Sequence, residues 1–552
     1  MKIEKKDLAV IALISAIFFS VAVFNLGLTR IPETAWRVEQ ETIYVRFDQN
    51  KTLESIYFLV NTDQNITAYI SVPQGQGWSD RAWINNGGYY KWLNVGLNAT
   101  TDQLKMYFYH SAGDILEIVA VDSSQKQINI KGIHAANSND TGVANLIDEQ
   151  QYFEYPPTIQ SETGFDEVLF VRAAQEYLHL QEPTAEATHP PLGKLIIAAG
   201  IDVFSFNPFG WRILDTVFAT LMIPVIYILG LALFKTRFAA TLAASFLSLD
   251  FMHFTLARIG TVDTFLVFFT LLSTLFFYLN FEKMTQGGNP DYKLILLGIV
   301  TFYLAFSIKW TAIFALIGQV LLFFTAALAG SATLKEAAAR LRSLIRPMAV
   351  IFGLLAAGGL VYLATFIPYA MIGHGLVDIY NAQWSMLSYH ESMSHFIHPE
   401  SSNWYEWPLT LKPLFLYFRE LPGDMISIVS AMGNPVVWWV GLCAVLIALV
   451  SGVKKEWPFL FVGVLFLAQL LPYALIPRYL FLYHYYLDVP ILALAAGGVL
   501  NDQCSSPRGR RYVALLLVLA IALFAIFYPV ISGYPIPQWY TSYLHWFRDW
   551  IF

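Results

Sequence analysis

The chain has 552 residues, of which 56% are hydrophobic, 16% aromatic and only 13% charged, against about 25% charged in a soluble domain; that excludes an ordinary soluble globule and describes a membrane protein. A net charge of −6 leaves no basic face for phosphate backbones, so nucleic acid is not a partner. The two cysteines, Cys443 in an apolar run and Cys504 in a basic loop, are too differently placed to pair or to share a metal.

The opening MKIEKKDLAVIALISAIFFSVAVFNLGL joins a lysine-rich start to an apolar stretch of about 20 residues, a spanning helix rather than the shorter core of a cleaved signal. Lys2, Lys5 and Lys6 put the N-terminus in the cytoplasm and the chain beyond Arg30 outside. Residues 1–30 are thus the first transmembrane helix.

Residues 31–157 are of a different kind. TIYVRF, SIYFLV, ITAYISV, KMYFYH and ILEIVAVD alternate with the two-residue period of half-buried strands, and PQGQG, NNGG and SAGD read as the turns between them. This predicts a small extracytoplasmic β-sandwich-like domain. Asn65, Asn98 and Asn139 each open an Asn-x-Thr sequon, as suits an outer face. Trp78, Trp83 and Trp92 read as core residues of the sandwich, with a sugar-stacking platform as the competing reading.

An outer loop with amphipathic helices follows over 158–210, and spans are then predicted at about 211–234, 238–255, 262–281, 293–308, 310–330 and 347–367, each near the length a bilayer requires. After an outer loop at 368–430, four more spans fall at about 431–452, 457–475, 480–500 and 511–531, before an outer tail at 532–552. That makes about 11 spans, the C-terminus outside. Basic residues fall on the cytoplasmic turns: Lys235 and Arg237, Lys283, the Lys335/Arg340/Arg342/Arg346 group, Lys454 and Lys455, then Arg508, Arg510 and Arg511. No repeat of the inverted-transporter kind is visible, and the polar motifs gather at one face, which disfavours a transporter or receptor.

Those motifs are where chemistry is expected. GFDEVLF places Asp166 and Glu167 on an outer loop. In EATHPPLGK, the consecutive prolines hold His189 extended at a corner, and Lys194 starts the next helix. FTLARIGTVDTFLVFF carries Arg258 and Asp263 in apolar surroundings, where charge is expensive enough to mark function; a mutual ion pair is the structural alternative, poorly served by a spacing of five. LIPRYLFLYHYYLDVP adds Arg478, Tyr483, His484 and Asp488, and FSIKWT adds Lys309, for which snorkelling is the competing account. Several cations at one membrane edge form a seat for an anionic lipid headgroup. His390, His395 and His398 lack a tetrahedral ligand pattern, so no metal or other cofactor is assigned and a metal requirement stays open.

In order along the chain, FDEV, HPPLGK, NPFGWRI, ARIGTVDTFL, SIKWT, SSNWYEWPLTLKP, GNPVVWW and RYLFLYHYYLDVP resemble the protein O-mannosyltransferases, integral membrane glycosyltransferases of the GT-C class, over about 160–552. The resemblance implies a polytopic α-helical GT-C fold and transfer of mannose, with inversion, from a polyprenyl (dolichyl) phosphate to Ser or Thr hydroxyls of proteins on the extracytoplasmic side of the membrane, in a prokaryote the cytoplasmic membrane. It implies Asp166 as general base, with Glu167 shaping the acceptor site. Arg258, Arg478 and Lys194 are implied at the donor phosphate, and His189, Asp263, Tyr483 and His484 in the active-site wall. The expected partners are the lipid-linked sugar, an acceptor protein or peptide, and membrane lipid. A related GT-C transferase with a lipid or polysaccharide acceptor is the alternative. Two departures stand out: the family usually carries an acid two residues before the corner His, where this chain has Ala187 with Glu186 one step further back, and the β-rich insert is not part of the common pattern.

Overall fold

The computed structural model describes residues 3–109, 112–137, 140, 142–329, 331, 333–395, 398–454 and 456–552. The sequon residues Asn139 and Thr141, Lys455 and the His395 side chain lie outside what is described. The chain forms two compact units, one of residues 25–168 with 204–210, the other of residues 1–24, 169–203 and 211–552.

The first unit is the strand-rich insert. Its strands are β1 (Trp36–Val38), β2 (Thr42–Gln74), β3 (Gly77–Phe108), β4 (Gly113–Asp122), β5 (Gln127–Ile128) and β6 (Gly132–Ala135). They make one antiparallel sheet in the order β1-β4-β2-β3, with β5 on β4 and β6 on β2. The expected sandwich of two sheets is instead a single curled sheet. Its long β2–β3 hairpin closes on itself, so that Ala68 pairs with both Ile84 and Phe108. Register shifts between Arg46 and Lys51, Leu53 and Ser55, and Thr62 and Ile66 supply the bends, since an extra residue on one strand kinks it and raises its twist. PQGQG is the hairpin turn, with Gly75 at φ 62°, whereas NNGG lies inside β3 at one of the shifts rather than between strands. Inward residues such as Ile43, Val45, Ile70, Leu104, Met106 and Phe108 fill the concave side.

The second unit is helical and polytopic. Among the described residues seven helices are long and apolar enough to cross a membrane: Lys5–Val23, Pro208–Phe234, Asp263–Thr285, Ile345–Ala364, Pro435–Val453, Trp457–Leu475 (the last turn 3-10) and Pro507–Ser532. The other four expected spans are shorter or broken. Tyr292–Phe306 and Ala312–Leu328 are short apolar helices. The span at 238–255 divides into Arg237–Ser248 and Phe251–Leu256, because Asp250 ends the first and caps the second by accepting from the His253 N–H. The span at 480–500 opens as a 3-10 segment, Leu482–Asp488, before the helix Val489–Gln503. Strands β7 (Leu414–Leu421), β8 (Met425–Ala431) and β9 (Ile536–Pro537) form a second, small sheet. That sheet joins the 368–430 loop to the C-terminal tail, so both lie on one side of the helices.

Candidate active site

Chemistry-bearing side chains of the helical unit converge where the Pro190-Pro191 corner meets two helix starts. Leu192–Phe204 begins as soon as the prolines allow, Leu195 N–H donating to the Pro191 carbonyl at 3.0 Å. Glu186 organises the corner. Its Oε2 accepts from Lys194 Nζ at 2.6 Å, its Oε1 lies 2.9 Å from His189 Nδ1, and the Thr188 N–H and hydroxyl also donate to it. Lys194, 1% exposed, donates to the Glu186 and His189 carbonyls as well, both at 2.8 Å. Three oxygens thus take up its three ammonium hydrogens. Burial works to raise the Glu186 pKa, yet the Lys194 ammonium and the His189 ring hold it well below the usual carboxylate range. Burial lowers the pKa of His189.

Close packing binds this corner to the segments that carry the other motifs. The Leu192 N–H donates to the Ser307 carbonyl at 3.1 Å. Gly193 is required by the approach of its neighbour, because a Cβ there would stand 2.5 Å from Val262 Cγ1. Immediately after Val262, Asp263 opens the Asp263–Thr285 helix, where a carboxylate complements the helix dipole, and it takes Lys309 Nζ with both oxygens, at 2.8 and 2.9 Å. The ammonium lies 4.9 Å from the centroid of the Tyr483 ring. Tyr483 stacks on His484 with centroids 4.5 Å apart, and Trp407 lies nearly parallel to His484 at 6.0 Å.

Tyr473 joins two spaces. It lines the small cleft at Asp263, Lys309, Tyr483 and His484, and it also lines a polar cavity of about 520 Å³ bounded by Ser402, Asn403, Glu406, Lys412, Arg478 and Asp549. Arg478 acts on its surroundings electrostatically: burial first, then the charges of His189 and Arg478, push the pKa of His390 down to about 4. The His390 ring packs edge-on against His189 at 5.4 Å. Arg478 is therefore a fixed cation beside a polar cavity, while the charges of Lys194 and Lys309 are matched by carboxylates. Among the described residues no three His, Cys, Asp or Glu side chains gather as a metal-binding group.

Two family models account for most of the chain, from just after the Pro-Pro corner onward: the dolichyl-phosphate-mannose-protein mannosyltransferase model matches residues 201–372, and the C-terminal four-transmembrane region of protein-O-mannosyltransferase matches 376–550. The chain belongs to the protein O-mannosyltransferase family. It is a membrane glycosyltransferase of the dolichyl-phosphate-mannose–protein mannosyltransferase type. Among its relatives are polyprenol-phosphate-mannose–protein mannosyltransferases. That of Mycobacterium tuberculosis is 24% identical, the match covering 66% of this chain and 80% of the relative. That of Corynebacterium glutamicum is 26% identical, with 66% and 81% covered. The yeast (S. cerevisiae) Pmt1–Pmt2 complex, solved with its sugar donor bound, shares the GT-C fold at a TM-score of 0.58 and 12% identity, over 70% of this chain and 89% of the yeast one.

Of the residues expected in the wall, Asp263, Tyr483 and His484 line one small cleft with Lys309, while the His189 ring packs against Phe170 and His390 and meets Lys309 only through its charge. Asp263 holds Lys309 rather than Arg258, so the Arg258–Asp263 pair considered from the sequence is replaced, and Lys309 is in a buried ion pair rather than snorkelling. Arg258, 6% exposed, donates Nη1 to the carbonyls of Ala22 and Phe24 at the end of the first helix, at 2.5 and 2.7 Å. In the sheet unit, Asp166 directly precedes the helix Glu167–Leu178 and is partly exposed, while Glu167 is buried and accepts from the Gly164 N–H at 3.1 Å. Sequence reasoning discounted Glu186, whose i, i+3 spacing to His189 was the available signal. His390 is weighed there only as a metal ligand and Tyr473 is not singled out, and although SSNWYEWPLTLKP is among the family motifs, nothing local in the sequence brings Ser402–Glu406 or His390 to Arg478.

Proposed function

We propose that this protein transfers mannose from a polyprenyl-phosphate donor to Ser or Thr hydroxyls of proteins at the extracytoplasmic face of the cytoplasmic membrane, by a single inverting displacement. A hydroxyl is a poor nucleophile at neutral pH, so Asp166 takes its proton as the oxygen attacks the anomeric carbon. The bond from that carbon to the phosphate oxygen breaks, its electron pair leaving with the lipid phosphate. Arg478 receives the charge that develops there. One base suffices, because direct inversion forms no covalent sugar–enzyme intermediate and a phosphate departs without needing a proton. Glu167 shapes the acceptor side. Lys194, whose ammonium already meets three oxygens, and Arg258, whose Nη1 meets two backbone carbonyls, act as positioning residues for the donor seat, and His189, Asp263, Tyr483 and His484 form its wall.

The observation that supports this reading is the Asp263–Lys309 pair with Tyr483 and His484 at a small cleft and Arg478 at a polar cavity, the two spaces sharing Tyr473 and both lying within the stretches that match the family. The outward orientation rests on the lysine- and arginine-rich turns. In proteoliposomes supplied with polyprenyl phosphate bearing labelled mannose and a Ser/Thr peptide, label is expected in the peptide. Asp166→Asn is expected to slow transfer by about 10²–10⁴-fold, and Arg478→Ala to lower kcat/KM for the donor by about 10²–10³-fold. Label recovered in lipid rather than peptide rejects the protein acceptor, and near-normal turnover of Asp166→Asn rejects the base.

A further inference from the structure

The outer face of the curled sheet departs from the pattern that its own strands set. Across β2 and β3 the inward positions are aliphatic, and the outward positions between them should be polar on an exposed sheet. Instead, register places Trp83, Tyr69 and Tyr107 side by side in one row, Tyr69 being the direct partner of both others. Trp83 is 63% exposed and Tyr69 40%. One step along the strands a second row runs Asp80, Ser71, Lys105, Tyr44 and His134, of which Ser71 is buried beneath its neighbours. The Tyr44 ring lies between His134, stacked at 5.1 Å, and Trp78, at 5.7 Å and 37% exposed. Of the three tryptophans expected in the core only Trp92 is there, packed on Phe153 at 4.7 Å.

We infer that this face is a carbohydrate-binding platform, and that its ligand is the mannose carried by an already modified protein chain. Flat aromatic rings match the C–H face of a pyranose, while the groups set between them match its hydroxyls. Ser71 donates to Asp80 at 2.6 Å and Gln40 to the Tyr107 hydroxyl at 2.9 Å, holding polar groups in line with the rings. Charge decides among ligands. The second row carries one fixed cation, Lys105, and one anion, Asp80, so it complements a neutral sugar rather than anionic lipid headgroups, which call for clustered cations. No Leu, Ile, Val or Met belongs to either row, which sets the platform apart from an apolar protein interface. An enzyme that binds its own product's sugar on a unit of the same chain retains a modified protein for transfer to further hydroxyls.

The choice of mannose rests on the proposed transfer; the choice of a sugar does not. The full-length protein in detergent is titrated with a peptide carrying one O-linked mannose, the same peptide bare, and a glucose-bearing version. Binding separately to phosphatidylglycerol vesicles is measured in parallel. The mannosyl peptide is expected to bind more tightly than the bare one, and Trp83→Ala and Tyr44→Ala each to weaken it about tenfold with hydrogen-exchange protection of β2–β4 unchanged. Equal binding of bare and mannosyl peptides overturns the platform, as does loss on substitution confined to vesicle binding. Preference for glucose over mannose overturns the mannose identity while leaving sugar recognition, and a protein that binds mannosyl peptide yet transfers no mannose separates this inference from the proposed function.

Discussion

A single carboxylate, Glu186, gives the Pro-Pro corner its rigidity. Lys194 is buried at the start of a helix, and a buried ammonium persists only if paired and fully hydrogen-bonded. Removing Glu186 leaves that charge with backbone carbonyls alone. Glu186→Ala is therefore expected to destabilise the helical unit by about 3–5 kcal/mol, and the double change with Lys194→Met to recover much of the loss. Thermal denaturation of the four proteins of the cycle measures the coupling; additive losses remove the clamp. The resulting pH dependence has a definite sign. Because the Glu186 pKa is held below its unfolded value, its contribution is present above the unfolded carboxylate pKa and fades as pH falls through the folded one. The half-buried His189, whose pKa is also lowered, resists protonation over the same descent, so the corner weakens on the acid side.

At the scale of elements, the sheet insert shows what sequence periodicity conveys and where it stops. Alternation identified the strand segments because side-chain direction has period two, but it is silent on which strands pair. NNGG therefore read as a turn, although Asn85 and Asn86 pair with Thr67 and Ile66 inside β3. Helices were legible through length and hydropathy, whereas the break at Asp250 depends on a cap to the His253 N–H that the apolar flanks conceal. The corner was legible because proline stiffness is local; Arg478 beside His390 was not, since nearly ninety residues separate them. One consequence belongs to β4. Glu117 is fully buried among Ile115, Ile118 and Val119, accepting the Glu149 N–H at 2.9 Å, and burial pushes its pKa up to about 9. A carboxyl that stays protonated when folded but ionises when unfolded costs stability as pH rises from its unfolded value of 4.5 towards about 9, by about 1.4 kcal/mol per pH unit. Exchange protection of β4, corrected for intrinsic rates, is expected to fall over that range in the full-length protein and to flatten in Glu117→Gln. An unchanged slope in the variant contradicts the assignment.

The whole molecule is ordered by which side of the membrane each loop occupies, and the C-terminal third tests that order. The Pro507–Ser532 helix has 26 residues, about 39 Å at 1.5 Å each, which exceeds the hydrocarbon thickness of about 30 Å; its two ends therefore face opposite compartments. At one end Arg508, Arg510 and Arg511 follow Cys504, a cytoplasmic signature. At the other end the tail is fastened to the 368–430 loop: β9 pairs with β8, the Ser427 hydroxyl donates to the Gly533 carbonyl at 2.7 Å, and the buried Trp550 donates Nε1 to the Thr410 carbonyl at 2.6 Å. Loop, tail and the Arg478 cavity, which Asp549 also lines, consequently share a face, and the proposed chemistry needs that face to be the outer one. With Cys443 replaced by Ala, a membrane-impermeant maleimide is expected to leave Cys504 unlabelled in intact cells and to label it in inverted vesicles. A cysteine placed at the exposed Ser542 in a chain also lacking Cys504 is expected to behave the opposite way. Labelling of Cys504 from outside would turn the Arg478 cavity to the cytoplasm, away from any acceptor that has crossed the membrane.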